Sequence, residues 1–312
     1  MEELVHQEPP RGGFEVIVAD GGSTDRTRDI VDAFCERWPN VRLLENPRRL
    51  SSAGRNVGAQ AARGRYVLFL DGHCSIPRTD YLVRAVELFE STGAACLCRP
   101  QPLTRMAEGK WAEAISAARH SPLGHNSGSD IFGASPGFTD PRSAGAAYSR
   151  DCFDRLGGYD ERFDACEDVE FNHRIAEAGL RSYRHPDLLV AYRPRSSLHG
   201  LFRQMVRYGR GRARLMSRHP SAIPWPLVLM TLFCLVLLGA LVLGGLRLAG
   251  LVTAMLGGIW ILLSAAESIR LGGLTSKAMR IELAFCAIHL GLVLGFWRGL
   301  PELHRFRPPA PL

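Results

Sequence analysis

The sequence predicts an α/β domain on a mostly parallel sheet, followed by a helical membrane region. Three observations predict it. Short apolar runs alternate with segments of helical period over residues 1–195, the pattern of βαβ units. Two of these runs end on an aspartate, Asp20 and Asp71. Beyond them, 27 residues at 220–246 and 19 at 248–266 carry no formal charge. A hydrocarbon core about 30 Å thick takes roughly 20 apolar residues as helix, so a purely soluble protein is not expected.

Each element follows in order. FEVIVA at 14–19 reads as a strand that ends in the turn DGGSTD. Ile30, Val31, Phe34 and Trp38 recur at helical spacing over 25–38. Residues 41–44 form a second strand, and Ser51 or Ser52 is the expected cap of a helix through Ala62. YVLFL at 66–70 is continuously apolar, as in a strand buried on both faces, and it ends at Asp71. A helix at 81–90 and a strand at 94–98 follow. Ligands of parallel sheets sit at the carboxyl ends of the strands, where Asp20 and Asp71 fall. Residues 120–143, rich in Gly, Ser, Pro and Asp, read as one long loop of the functional kind. Residues 166–178 read as a helix opened by acidic groups that suit its positive end.

The remainder divides into 196–222 and 223–312. The first part is an amphipathic helix. Leu198, Leu201, Phe202, Met205 and Val206 form one stripe, and Arg203, Arg207, Arg210 and Arg214 form another. Such a helix can lie on a lipid surface, with Gly209 and Gly211 weakening its second half. The candidate spans are 226–246, 248–266 and 283–297. The third is short, contains His289 and reads as tilted or re-entrant. Two and three full spans both remain open.

Composition excludes several classes. With 46% hydrophobic and 22% charged residues, the chain is neither disordered nor collagen-like. Net charge is +7, and all but Lys110 and Lys277 of the 38 basic residues are arginine. Six arginines crowd into 203–218, which marks the cytoplasmic side of a membrane segment. No zinc-finger spacing or RNP-type motif supports nucleic-acid binding. Cys96 and Cys98 lack a second Cys/His pair at zinc spacing and read as buried strand thiols.

Four constellations could carry chemistry. Asp71-Gly72-His73 follows a strand, and its carboxylate and imidazole suit Mn²⁺ or Mg²⁺ held with a ligand's phosphates. Alone, the tripeptide also describes a turn aspartate beside an exposed histidine. Asp20, in its glycine-rich turn, can accept hydrogen bonds from a base or ribose, or simply close the turn. Glu167-Asp168 opens a helix; a carboxylate there can take a proton from an attacking hydroxyl, or cap the helix. Glu170 lies two residues further and points elsewhere. Gln204, Arg207 and Tyr208 share one side of the amphipathic helix and could hold a diphosphate or a sugar, or could serve as an interfacial helix with snorkelling arginine.

Taken together, VIVADGGSTDRT, RNVGAQAARGRYVLFLDGH, GGYDERFDACEDVEFNHRI and RQMVRYGRG, in this order before apolar helices, resemble the family-2 glycosyltransferases. The resemblance covers 3–300 and is closest to the membrane-bound transferases of succinoglycan-type exopolysaccharide synthesis. It implies a GT-A fold, a nucleotide-sugar donor (a UDP-sugar first among them), a divalent metal, Mn²⁺ or Mg²⁺, and inversion at the anomeric carbon. It further implies a polyprenyl-linked or glycan acceptor, contact with membrane lipid, and a multi-pass inner-membrane protein with a cytoplasmic catalytic domain.

Residue by residue, the resemblance makes Asp20 a nucleotide contact, and Arg55 and Asn56 part of the donor wall. It makes Asp71 and His73 the metal ligands, in a D-x-H form of D-x-D, and Asp168 the catalytic base with Glu167 beside it. Gln204, Arg207 and Tyr208 match Q-x-x-R-W, with tyrosine for tryptophan. One departure stands out. The family opens on an apolar strand ending in P-x-x-N-E, whereas MEELVHQEPPRGG falls within the helix that follows that strand. A start codon assigned too far downstream would account for this. The alternative is a non-catalytic, membrane-associated subunit.

Overall fold

The computed structural model describes residues 1–124, 131, 135–142, 145–222 and 225–306. It divides into two compact units, Met1–Met106 with Ser127–Arg193 and Ala107–Asn126 with Pro194–Leu312. In chain order the first unit runs α1 (Glu2–Val5), β1 (Val16–Asp20), α2 (Thr27–Arg37), β2 (Val41–Glu45), α3 (Ser51–Ala61), β3 (Tyr66–Leu68), β4 (Cys74–Ser75), α4 (Tyr81–Thr92) and β5 (Cys96–Cys98). Helix α5 (Lys110–His120) belongs to the second unit. The first resumes with β6 (Gly137–Thr139), β7 (Ala147–Ser149), α6 (Arg150–Arg155), α7 (Glu167–Glu177), β8 (Ser182–Arg184) and β9 (Ala191–Tyr192). The second continues with α8 (Leu198–Arg218), α9 (Trp225–Gly272) and α10 (Ser276–Gly299).

Apart from the two-residue β4, the α/β alternation holds through β5, but the sheets are mixed rather than mostly parallel. β1 and β2 pair in parallel as a ladder of their own. A second sheet has the order β3-β7-β5-β8-β6, and within it only β5–β8 is parallel. β4 and β9 form an antiparallel pair. The difference arises at β7, which returns antiparallel between β3 and β5. Its three residues make too short a run for periodicity to register.

β3 is covered on both faces. Tyr66, Leu68 and Leu70 pack against one apolar cluster that includes Phe89 and Leu97. Val67 and Phe69 pack against another, built from Tyr148, Phe153, Tyr159 and Phe171. Each such buried side chain contributes about 1.5–3 kcal/mol relative to exposure. β3 therefore delivers the chain to Asp71 from a fixed position. Cys96 and Cys98 are fully buried in β5, as expected of strand thiols. α3 begins one residue earlier than a serine cap requires. Its N-cap is Leu50, and the Ser52 hydroxyl instead donates to Phe163 O at 2.9 Å. Of the loop expected at 120–143, residues 125–130, 132–134 and 143 lie outside the described residues, and 137–139 form β6.

In the second unit α8 runs unbroken through both glycines that were expected to weaken it. The reason is close packing. A Cβ on Gly209 would lie 2.1 Å from Leu292 O. On α10 the stripe Gly291, Gly295 and Gly299 faces α8 in turn, and a Cβ on Gly295 would lie 2.0 Å from Val206 O. Small residues four apart let helix backbones approach this closely. The apolar window 283–297 is thus the inside of a 24-residue helix that starts at the Thr275 cap. In α9, Gly245 departs from helical geometry (φ 64°, ψ −164°), near the boundary expected between the first two spans. Leu238–Gly272 and Ser276–Arg305 are long and apolar enough to cross a membrane.

Gly295→Ala forces a methyl group against the Val206 carbonyl, and overpacking of this kind costs about 1–3 kcal/mol. The thermal midpoint of the detergent-purified protein should fall. Gly250→Ala, where a Cβ meets nothing within 4 Å, should leave it unchanged or raise it.

Candidate active site

The chain leaves β3 under hydrogen-bond control. Phe69 N donates to Ala146 O at 2.9 Å, and the Phe69 carbonyl accepts from Arg99 Nη1 at 2.5 Å. Asp71-Gly72-His73-Cys74 then forms a turn closed by Cys74 N donating to Asp71 O at 2.9 Å. β9 holds the far side of that turn. Cys74 pairs with Tyr192, Arg193 N donates to His73 O at 3.1 Å, and the His73 ring meets Tyr192 edge-on with centroids 4.7 Å apart. One potential ligand atom each from Asp71, His73 and Cys74 falls within 4.8 Å of the others. A carboxylate, an imidazole and a thiol gathered this closely fit a divalent ion.

Arg55, on α3, ties this turn to the start of α7. Its Nη2 donates to Asp71 Oδ1 and its Nη1 to Glu167 Oε1, both at 2.7 Å. The guanidinium also lies over the Tyr159 ring, 5.7 Å from its centroid. Gly158 places Tyr159 there from a left-handed φ of +66°, with no room for a Cβ beside Asn56 Oδ1 at 2.8 Å. Asn56 itself is a clasp. Its amide donates to Tyr159 O and Glu161 Oε1, and its oxygen accepts from Tyr159 N. The expected donor-wall pair thus splits: Arg55 reaches the acidic groups, and the Asn56 side chain holds the 159–161 loop.

Charge explains the states of these groups. Burial pushes the Asp71 carboxyl upward, but Arg55 and then Arg99 outweigh it and hold it below the ordinary carboxylate range. Burial also works against the Arg55 charge, yet Asp71 and Glu167 keep it firmly protonated. Glu167 goes the other way: burial first, then the neighbouring Asp168, raise it, and Arg55 only partly opposes them. Burial pushes the Cys74 thiol up to about 11.

The acidic pair sits where the sequence expects it. Cys166, with φ 63°, turns the chain into α7, and Asp168 Oδ1 accepts from Val169 N at 2.9 Å. Glu170 is fully buried and paired with Arg174 at 2.7 Å, so it serves the packing of α7. Asp20 closes its own turn: it accepts from Gly22 N at 3.1 Å and from the Ser23 hydroxyl at 2.5 Å, with Arg28 at 3.5 Å. The Ser23 hydroxyl is the chief reason its carboxyl stays below the ordinary value. In the second unit the buried Gln204 donates to Tyr208 Oη at 3.3 Å, and Arg207 is exposed.

The structure therefore gathers Arg55, Asp71, His73 and Glu167-Asp168, while the side-chain bonds described for Asp20 stay within its turn and to Arg28. Sequence reasoning missed Cys74, Arg99 and Tyr159. Cys74 was visible as the residue directly after DGH, and Tyr159 as the residue after a glycine pair.

Residues 1–157 match the family model described as glycosyl transferase family 2. The chain belongs to glycosyltransferase family 2. It is similar to the succinoglycan biosynthesis protein ExoA of Rhizobium meliloti strain 1021, at 31% identity over 93% of this chain and 87% of that one. It is also similar to a dolichyl N-acetyl-alpha-D-glucosaminyl phosphate 3-beta-D-2,3-diacetamido-2,3-dideoxy-beta-D-glucuronosyltransferase of Methanococcus voltae, at 23% identity over 96% and 91%. The mannosyltransferase PcManGT of Pyrobaculum calidifontis, solved with GDP-Man and Mn²⁺, superposes with a TM-score of 0.60. That match has 20% identity and covers 96% of this chain and 82% of that one. The two share the GT-A fold, and this family member is a glycosyltransferase.

The raised Glu167 carboxyl has a measurable consequence. Above its folded-state value its ionisation costs stability; below the ordinary value of 4.5 it is protonated folded or unfolded, and the cost vanishes. Glu167→Gln keeps the shape and removes the ionisation. The variant's thermal midpoint should exceed that of the unmodified protein at pH 8, and the two should converge at pH 4. A lower midpoint at pH 8 would reverse the assigned direction.

Proposed function

We propose that this glycosyltransferase moves a sugar from a nucleoside-diphosphate donor, a UDP-sugar first among them, to a glycan acceptor, with inversion at the anomeric carbon. The product belongs to an exopolysaccharide or cell-envelope polysaccharide. One observation carries the reading: Arg55 binds the Asp71 turn and Glu167 at once, so the groups suited to a diphosphate and the groups suited to an acceptor hydroxyl share one cluster. The similarity to a succinoglycan biosynthesis protein supports the polysaccharide product. The dolichyl-phosphate substrate named for the Methanococcus relative supports a polyprenyl-linked acceptor.

In this mechanism Asp168 takes the proton of the acceptor hydroxyl as its oxygen attacks the anomeric carbon. The bond to the diphosphate breaks on the opposite face. Glu167 is held beside the base by Arg55. Asp20 accepts from the nucleoside, and Arg55 and Asn56 shape the donor wall. Asp71 and His73 would hold Mn²⁺ or Mg²⁺, which offsets charge on the departing diphosphate. PcManGT, which shares the fold, was solved with Mn²⁺. On chemistry alone, Gln204, Arg207 and Tyr208 extend the proposal as donor-binding residues. Aligning the two reactants contributes about 7–11 kcal/mol. The two apolar helices and the arginines of 203–218 support a multi-pass inner-membrane protein with its catalytic unit on the cytoplasmic side.

Asp168→Asn should lower turnover by about 10²–10⁴-fold while nucleotide-sugar binding persists. Unchanged turnover, read as nucleoside diphosphate release from membranes, would reject the base. EDTA should abolish turnover and added Mn²⁺ should restore it; full activity in EDTA would reject the metal.

A further inference from the structure

We infer that Cys74 is a third metal ligand beside Asp71 and His73, so that the site binds thiophilic divalent ions such as Zn²⁺ more tightly than Mn²⁺. The inference rests on the reading of Asp71 and His73 as metal ligands and adds to it a sulfur donor and a metal preference. Potential ligand atoms of the three residues lie within 4.8 Å of one another. Bonds of about 2.0–2.3 Å to zinc space tetrahedral ligands roughly 3.3–3.8 Å apart, so only a small closure is needed.

The turn is already shaped for that closure. Cys74 N donates to Asp71 O, and Cys74 is fixed in the β4–β9 ladder opposite Tyr192. The next residues are anchored as well: Glu3 accepts from Ser75 Oγ at 2.6 Å and from Ile76 N at 2.7 Å. Arg55 engages Asp71 through Oδ1, and the carboxylate has a second oxygen to offer. Cys74 is half-buried against an apolar cluster, so its sulfur is screened from bulk water on one side.

The donor set widens the preference. A carboxylate and an imidazole already hold Zn²⁺ more tightly than Mn²⁺, and a sulfur donor enlarges that gap, because sulfur favours zinc and cobalt over manganese and magnesium. The thiol proton leaves to solvent as the metal–sulfur bond forms. One carboxylate, one thiolate and a neutral imidazole then balance the charge of a divalent ion. Zinc would thus compete with Mn²⁺ for the same three residues.

Co²⁺ added to the full-length protein in detergent tests this, because thiolate ligation gives a near-ultraviolet charge-transfer band. The unmodified protein should show the band. Cys74→Ser and Cys74→Ala should lose it and weaken Zn²⁺ binding by about 100-fold, while Mn²⁺ binding, read by electron paramagnetic resonance, changes far less. Co²⁺ bound without the band, or a band that survives both substitutions, overturns the role of Cys74 and leaves the Asp71–His73 site standing. Failure of the unmodified protein to bind Mn²⁺ or Co²⁺, both alone and with UDP added, overturns that underlying site as well.

Discussion

Arg55 carries its charge into a mostly buried position, and such a charge persists only where opposite charges meet it. Asp71 and Glu167 do so, each through one arm of the planar guanidinium. A lysine could not span both with the same geometry. The two carboxylates come from segments nearly a hundred residues apart, and the arginine from a third. The bridge therefore fixes three pieces of chain against one another at the place where chemistry is proposed. Removing the guanidinium would take from Asp71 and Glu167 the cation they share, leaving Arg99 to act on Asp71 alone, and the link between the Asp71 turn and the start of α7 would be lost.

Packing around the bridge makes it rigid. Tyr159 reaches it from the aromatic cluster that covers one face of β3, and Asn56 ties the same loop to α3. Phe69, two residues before Asp71, lies in that cluster too. The carbonyl of Phe69 is held by Arg99, a second mostly buried guanidinium. The acidic groups are thus positioned by apolar surface behind them and by cations beside them.

The positions of Asp20, Asp71 and Glu167-Asp168 were legible because each is marked locally, by an apolar run that stops or by acids at a helix start. β1, β2, β3 and β5 and the helices between them were legible for the same reason, whereas the two-residue β4 was not. What joins them was not. The partners of Arg55 lie sixteen and more than a hundred residues away, and no spacing rule reaches that far. The work of Asn56 was hidden because a buried amide bonded to a distant loop looks, in sequence, like any polar residue on a helix. The mixed pairing was hidden in the three-residue strand β7.

The glycines of α10 have a consequence for engineering. Where two helices meet through side chains, a mismatch can be absorbed by rotamer changes. Where carbonyl oxygens nearly touch α-carbons, as at Gly295 and Gly209, nothing between them can yield. α8 and α10 must therefore be exchanged as a pair. A chimera that imports one from a related protein without the other would bring backbone into collision with backbone.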